Sequence, residues 1–285
     1  INRMGRIEEG NTALDFEPEE IKRTSSIGAG FHQVNWKKHS ITLIDTPGDQ
    51  NFFSDTKTCL QAADGAVVVI DAVDGVKVQT EMGWEFLDDF KLPRAIFINK
   101  LDRERADFAR VLEEAKSMFQ PKPIILQLPI GAESEFKGIV DLISQKAYLY
   151  GADGKAKATD IPADLQESVA VEREALIENI AEADDALVER YLEGETLSDE
   201  DLRGALRKGV LSRTFTPVLC GSALHGIGVQ PILDAVAWYL PSPLETPAVE
   251  GTNPGKKDKT ERRQPDVAEP FCGLVFKILP AKTGD

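Results

Sequence analysis

The sequence predicts an α/β fold, a doubly wound and mostly parallel sheet interrupted by an inserted α+β subdomain. Two apolar runs, residues 65–71 and 94–99, lack any alternation and so read as strands buried on both faces. Segments of helical periodicity fill the gaps between such runs, the alternation from which parallel sheets with right-handed crossovers are built. Between residues 122 and 213 this rhythm gives way to short apolar pieces and then a long acidic helical region, which marks an insertion.

The elements follow in order. The first forty or so residues are polar and irregular, with the acidic stretch Asp15-Phe16-Glu17-Pro18-Glu19-Glu20, and are expected to form a mobile surface loop. Alternating runs at 31–36 and 40–45, separated by Lys37-Lys38-His39, have hairpin spacing. Residues 76–90 place Val78, Met82, Phe86 and Leu87 at helical spacing, and 104–119 do the same with Phe108, Val111, Leu112 and Ala115. Within the insertion, apolar pieces at 123–128, 138–141 and 146–150 precede residues 162–193. There Leu165, Val169, Leu176, Ile180, Leu187 and Tyr191 form one stripe among acidic residues, the pattern of a solvated amphipathic helix pair. A last strand at 216–220 leads to a helix at 229–240 that stops before Pro241, which cannot continue it comfortably. The expected division is an α/β domain over 1–121 and 214–243, the insertion over 122–213, a proline-rich linker over 244–269 and the first strand of a further β domain over 270–285.

Composition narrows the function. The chain has 285 residues, 42% hydrophobic and 28% charged, which is ordinary globular usage with enough length to bury a core. A formal net charge of −15 opposes broad adhesion to phosphate backbones or anionic lipid, so any contact with nucleic acid is expected to be local. Cys59, Cys220 and Cys272 are too far apart for a zinc knuckle or a disulfide framework, and His32, His39 and His225 lack metal-site spacing. No apolar run approaches the length of a membrane helix, and a cytoplasmic, reducing setting is expected.

Open α/β sheets bind ligands at the carboxyl ends of their strands, and three polar loops stand at such ends. Asp45-Thr46-Pro47-Gly48 offers a carboxylate able to hold a hard cation through water and a glycine whose backbone N–H can approach a phosphate. Asn99-Lys100-Leu101-Asp102 offers an amide to pair with a purine acceptor and a carboxylate to accept the two N–H donors that guanine presents on one edge; a capping turn would use Asp102 as well. Gly221-Ser222-Ala223 offers backbone N–H groups to the guanine oxygen.

In this order and strand context, the three loops resemble the guanine-nucleotide domain of P-loop GTPases. The insertion with Gln127-Leu128-Pro129-Ile130-Gly131, Lys146-Ala147-Tyr148 and Tyr191-Leu192-Glu193-Gly194-Glu195, together with Asp64-Gly65-Ala66-Val67 and Tyr239-Leu240-Pro241-Ser242-Pro243, closely resembles bacterial translation elongation factor G. That resemblance implies GTP or GDP as ligand, Mg²⁺ as cofactor, and the ribosome as partner through local rRNA and stalk-protein contacts, with no membrane. It implies that Asn99 and Asp102 read the guanine, Lys100 lies against its ring, and Ser222 with Ala223 completes the base pocket. Asp45 would support Mg²⁺ through water, Ser26 would supply the hydroxyl ligand from the acidic early segment, and Gly48 would donate to the γ-phosphate and pivot a switch.

Two departures bear on activity. Where the family carries the His that orients the attacking water, this sequence has Asp49, so the catalytic position is expected to work poorly. No Gly-x-x-x-x-Gly-Lys-[Ser/Thr] occurs, so the chain is expected to be a piece of a longer protein and inactive alone. The expected function is ribosome-dependent GTP hydrolysis driving a translocation-type step. The alternatives are a release-factor-type GTPase, suggested by Phe53-Ser54-Asp55-Thr56, and a nucleotide-binding switch with little hydrolysis.

Overall fold

The computed structural model describes residues 5–6, 9–151, 153–181, 185–195 and 197–278. The chain forms two compact units, Ile1–Asp64 with Pro241–Asp285, and Gly65–Leu240. Among the described residues no helix is long and apolar enough to cross a membrane.

In the first unit the early segment is more ordered than its polarity suggests. Helix α1 (Pro18–Arg23) forms because Pro18 is preset for the first helical turn, Glu19 and Glu20 face the positive end of the helix dipole, and Thr24 closes it in the left-handed conformation at φ 53°. The Glu20 carboxylate, buried, accepts the backbone N–H groups of Ile27 at 3.0 Å and Gly28 at 3.1 Å, which fixes the loop that contains Ser26. Strands β1 (Gly30–Trp36) and β2 (His39–Asp45) pair antiparallel with Trp36 opposite His39, so the turn is the two residues Lys37 and Lys38 rather than three. Lys37 takes the positive φ of 48° that a tight hairpin needs. After a turn of 3-10 helix comes α2 (Phe53–Leu60).

The second unit holds a four-stranded parallel sheet in the order β3 (Ala66–Asp71), β4 (Arg94–Asn99), β10 (Phe215–Cys220), β5 (Lys122–Ile125). Helices α3 (Val78–Asp89) and α4 (Phe108–Met118) connect it as expected. The sequence-based boundary of the insertion at residue 122 is displaced: β5 belongs to the parallel sheet, and the second sheet begins with β6 (Gln127–Ile130). The apolar run 123–128 is thus shared between two sheets. Leu126 is the joint, its N–H donating to Val218 O at 2.9 Å and its C=O accepting from Leu142 N at 2.9 Å. The inserted sheet continues antiparallel through β7 (Gly138–Asp141), β8 (Lys146–Tyr150) and β9 (Ala156–Thr159).

Helix α5 (Gln166–Ala181) and helix α6 (Asp185–Leu192) fill the acidic stripe region, and α7 (Asp199–Leu211) starts on a Ser198 cap. Arg190 of α6 ties to Asp201 of α7 at 3.0 Å. Helix α8 (Val229–Tyr239) follows β10 and ends before Pro241. Back in the first unit, the range read as a linker carries an antiparallel hairpin, β11 (Val249–Asn253) and β12 (Lys256–Arg263). Its turn residues Asn253-Pro254-Gly255 supply the reversal, the Asn253 side chain accepting from Gly255 N at 2.9 Å. The first strand expected within 270–285 does not form among residues 270–278, and residues 279–285 lie outside the described residues.

Arg94 opens β4 and is 2% exposed, a charge that the apolar reading of 94–99 did not account for. Its guanidinium stacks 4.6 Å over the Trp84 ring, donates to Leu92 O and Trp84 O, and pairs with Asp88 at 2.5 Å. Burial lowers its basicity while Asp88 raises it, and the first effect prevails. Arg94→Met keeps the volume but strips partners from two buried carbonyls, so we expect it to destabilise the protein by about 2–4 kcal/mol in denaturant unfolding.

Candidate functional site

The register of the parallel sheet places Asp71 opposite Asn99 and Cys220 opposite Ile98, so the carboxyl ends of β3, β4 and β10 lie at one edge. Three polar loops leave from that edge, and side chains tie them to one another. Asn99 Oδ1 accepts the N–H of Lys100 at 2.8 Å and, across the sheet, the N–H of Ala223 at 2.9 Å. With its oxygen so occupied, the amide is oriented and Nδ2 is the group left to donate. Leu101 N donates to Gly221 O at 3.2 Å and Gly221 N to Ile98 O at 3.0 Å, which laces the two loops together. Asn99, Lys100, Asp102, Ser222 and Ala223 are thereby gathered into one cluster.

Two glycines make that closeness feasible. A Cβ at Gly221 would stand 2.2 Å from Ile227 O, and Gly228 at φ 81° would set a Cβ 2.4 Å from Cys220 O. Ser222 is fully buried, and its N–H and C=O pair with Ile227 at 2.9 and 3.0 Å. Its Oγ has no hydrogen-bond partner. The loop N–H groups expected to meet a guanine oxygen therefore have internal acceptors: Gly221, Ser222 and Ala223 donate to Ile98 O, Ile227 O and Asn99 Oδ1.

Lys100, at a positive φ of 65°, sends its ammonium to Asp71 Oδ2 at 2.7 Å. Asp71 was not singled out from the sequence, although a strand ending in a carboxylate is the same signal that marked Asp45. Burial works to raise the Asp71 carboxyl, but the Lys100 ammonium and the N–H groups of Val73 and Asp74 outweigh it and hold it below the usual aspartate range. Asp102 Oδ2 stands 3.4 Å from His225 Nε2.

The remaining predicted residues lie in the first unit. Asp45 ends β2, where the surrounding protein, foremost, and the charges of Asp15 and Glu20 push its carboxyl above the ordinary range. Added positive charge there would be stabilising, and the oxygen donors of Asp45 and Ser26 are of the hard type that suits Mg²⁺. Among the described residues no three His, Cys, Asp or Glu side chains cluster as a metal site, so such an ion would also need oxygen from phosphates. An added Cβ at Gly48 would meet nothing within 4 Å, which leaves its backbone open to approach. Asp49 caps the following 3-10 turn: its Oδ1 accepts from Asn51 N and Asn51 Nδ2, each at 2.8 Å.

Comparison with known proteins places this geometry. The family described as the elongation factor Tu GTP binding domain matches residues 1–242. The chain is 41% identical to an elongation factor G of Aquifex pyrophilus over 97% of its length and 40% of the relative's. It is likewise 41% identical to an elongation factor G of Thermotoga maritima over 96% of its length and 40% of the relative's. A crystal structure of a Thermus thermophilus protein superposes on 87% of this chain and 38% of that one, with a TM-score of 0.81 and 32% identity. The chain thus spans about two fifths of the relatives it matches, 40% in each elongation factor G.

The lowered Asp71 carboxyl has a consequence for stability. The folded state binds that proton more weakly than the unfolded state, so the contribution of the pair is present above the ordinary aspartate value of about 4 and is lost as pH falls. Denaturant midpoints of the parent and Asp71→Asn are expected to differ at neutral pH and to converge as pH drops toward about 2.

Proposed function

The chain belongs to the elongation factor Tu GTP-binding domain family, and we propose that it is the nucleotide-binding portion of an elongation factor G-like protein that hydrolyses GTP on the ribosome to drive a translocation-type step in the cytoplasm. The observation that supports this reading most is the bond from Ala223 N–H to Asn99 Oδ1 at 2.9 Å, which ties together the two loops proposed to read the base.

Each residue then has a task set by its chemistry. Asn99 Nδ2 donates to the purine ring, since its oxygen is spent on backbone N–H groups. The Asp102 carboxylate accepts the ring N–H and the exocyclic amine of guanine, a pair of donors that adenine lacks. The Lys100 stem covers the ring face while its ammonium stays anchored on Asp71, which makes Asp71 a positioning residue. Ser222 and Ala223 close the pocket at the guanine oxygen. Asp45 and Ser26 would hold Mg²⁺, the former through water, and the ion would supply charge to offset that of the phosphates. Gly48 would give its N–H to the γ-phosphate. The domain division proposed for the whole chain is a nucleotide-binding core, with the insertion starting at β6, followed by the hairpin segment of a further domain.

Asp49 supports a second reading, a switch that binds nucleotide and turns it over slowly. Its carboxylate is held as a cap by Asn51 and, when ionised, can only accept hydrogen bonds beside the negative γ-phosphate.

The test is nucleotide binding and phosphate release by the full-length protein with and without ribosomes. Asp102→Ala should weaken GDP binding by about 30-fold or more and erase discrimination against ADP, because buried donors of the base go unmatched. Guanine selectivity that survives this substitution refutes the pocket. Asp49→His should raise ribosome-stimulated turnover by about tenfold or more, an imidazole restoring a group matched to water activation. Equal rates would show that position 49 does not limit hydrolysis.

A further inference from the structure

The run Phe53-Ser54-Asp55-Thr56 opens α2 and has no task among the base-reading loops, yet two of its side chains reach different loops of the first unit. Thr56 Oγ1, buried, donates to Pro47 O at 2.7 Å, inside the Asp45-Thr46-Pro47-Gly48 loop. Asp55 Oδ2 accepts the Ala29 N–H at 2.6 Å, three residues beyond Ser26. Glu20 Oε1 already accepts from Ile27 and Gly28, so three consecutive N–H groups after Ser26 end on carboxylates. Adjacent residues of one helix therefore grip both loops to which the proposed function assigns the cation and the γ-phosphate.

A third segment closes the arrangement. Lys277 Nζ donates to the same Asp55 Oδ2 at 2.5 Å and to Ala29 O at 3.5 Å. Ala29 is thus bracketed, its N–H by the carboxylate and its C=O by the ammonium. The side chains of Lys277 and Asp55 are only 16% and 26% exposed, so solvent screens the pair weakly and either charge left alone would be costly. Beside Lys277, the Phe276 ring meets the Phe31 ring of β1 edge-on at 5.9 Å. Residues 270–278 form no strand, so no backbone ladder fastens this segment there; the side chains of Phe276 and Lys277 do.

We propose that Asp55 and Lys277 form a brace that positions the Ser26 loop and couples it through α2 to the Pro47-Gly48 loop, with the segment around Lys277 setting how firmly the brace holds. Both are positioning residues that act through the loop: Lys277 balances the Asp55 charge, and Asp55 fixes the peptide that follows Ser26. The proposal rests on the cation-ligand role proposed for Ser26.

Two measurements on the full-length protein test it together: amide hydrogen exchange read by mass spectrometry, and affinity for a non-hydrolysable GTP analogue as Mg²⁺ is titrated. Lys277→Met keeps most of the stem and removes the charge. It should speed exchange over residues 27–30 by about tenfold and raise the Mg²⁺ needed for half-maximal analogue binding by about threefold or more, because charged hydrogen bonds beside Ser26 are lost. Exchange of β3 and β4 and the preference for GDP over ADP should keep their parent values, and Lys277→Arg should restore both readouts. In an Asp55→Asn background, Lys277→Met should add little, since the two side chains act as one unit. If Lys277→Met fails to fold by circular dichroism, Asp55→Asn alone carries the same two readouts. Unchanged exchange over 27–30, additive effects of the two substitutions, or faster exchange with an unchanged Mg²⁺ requirement overturns the proposal. A parent protein without affinity for guanine nucleotides refutes the proposed function instead, and the brace is then judged on exchange alone.

Discussion

The parallel pairing of β4 with β3 on one side and β10 on the other is the constraint on which the site rests. Parallel strands in register end together, and here the shared edge receives Asp71, Asn99 and the Gly221-Ser222-Ala223 loop. The strands themselves are held by burial, with Ile96, Ile98, Val218 and Cys220 all fully excluded from solvent. Positioning by backbone ladders is stiffer than positioning by a loop, so the few side-chain bonds at the edge need only trim the geometry. Asn99 does this trimming with one oxygen, orienting its own amide and fixing the neighbouring loop by the same act.

The parts of the fold that could be read from the sequence are those where one physical signal dominates. Strands β3 and β4 form within the runs 65–71 and 94–99, but burial on both faces holds for β4 alone: β3 ends the strand order, and its Val69 is 58% exposed. Helix α8 ends where Pro241 requires. The boundary of the insertion was not legible, since the run 123–128 is apolar for two different reasons. Its first half lies in the parallel sheet and its second half in the antiparallel one, and periodicity does not record which partner a strand chooses. Helix α1 was missed for the opposite reason: its signals are Pro18 and the acidic Glu19 and Glu20 in the first turn, which hydrophobic periodicity does not record.

The site shows the same division. The order of Asn99, Lys100, Asp102 and then Ser222, Ala223 at strand ends led to the expectation of one site, and the structure brings the two loops that carry them together. Two features lay beyond the motif. Asp71 is separated from Lys100 by a strand and a helix, and only the register brings them to 2.7 Å. Likewise, the free-donor role expected of the third loop overlooked the acceptor across the sheet edge, Asn99 Oδ1, to which the Ala223 N–H donates.

Asp49 separates binding from hydrolysis in the proposed reading. The base-reading groups stand on strand ends and draw their geometry from the sheet, whereas Asp49 stands on a 3-10 turn whose first N–H groups it must cap. Its Oδ1 serves both the Asn51 backbone and side chain, so moving the carboxylate to meet a water would release two donors at once. An imidazole could leave such a position without that loss, because it would not have been the cap. In that reading, an aspartate in place of a water-orienting group would also stiffen the turn that carries it, and both effects would act on turnover. In the proposed reading, nucleotide recognition and hydrolysis would thus be set by different residues, on different kinds of backbone, and would vary independently of each other.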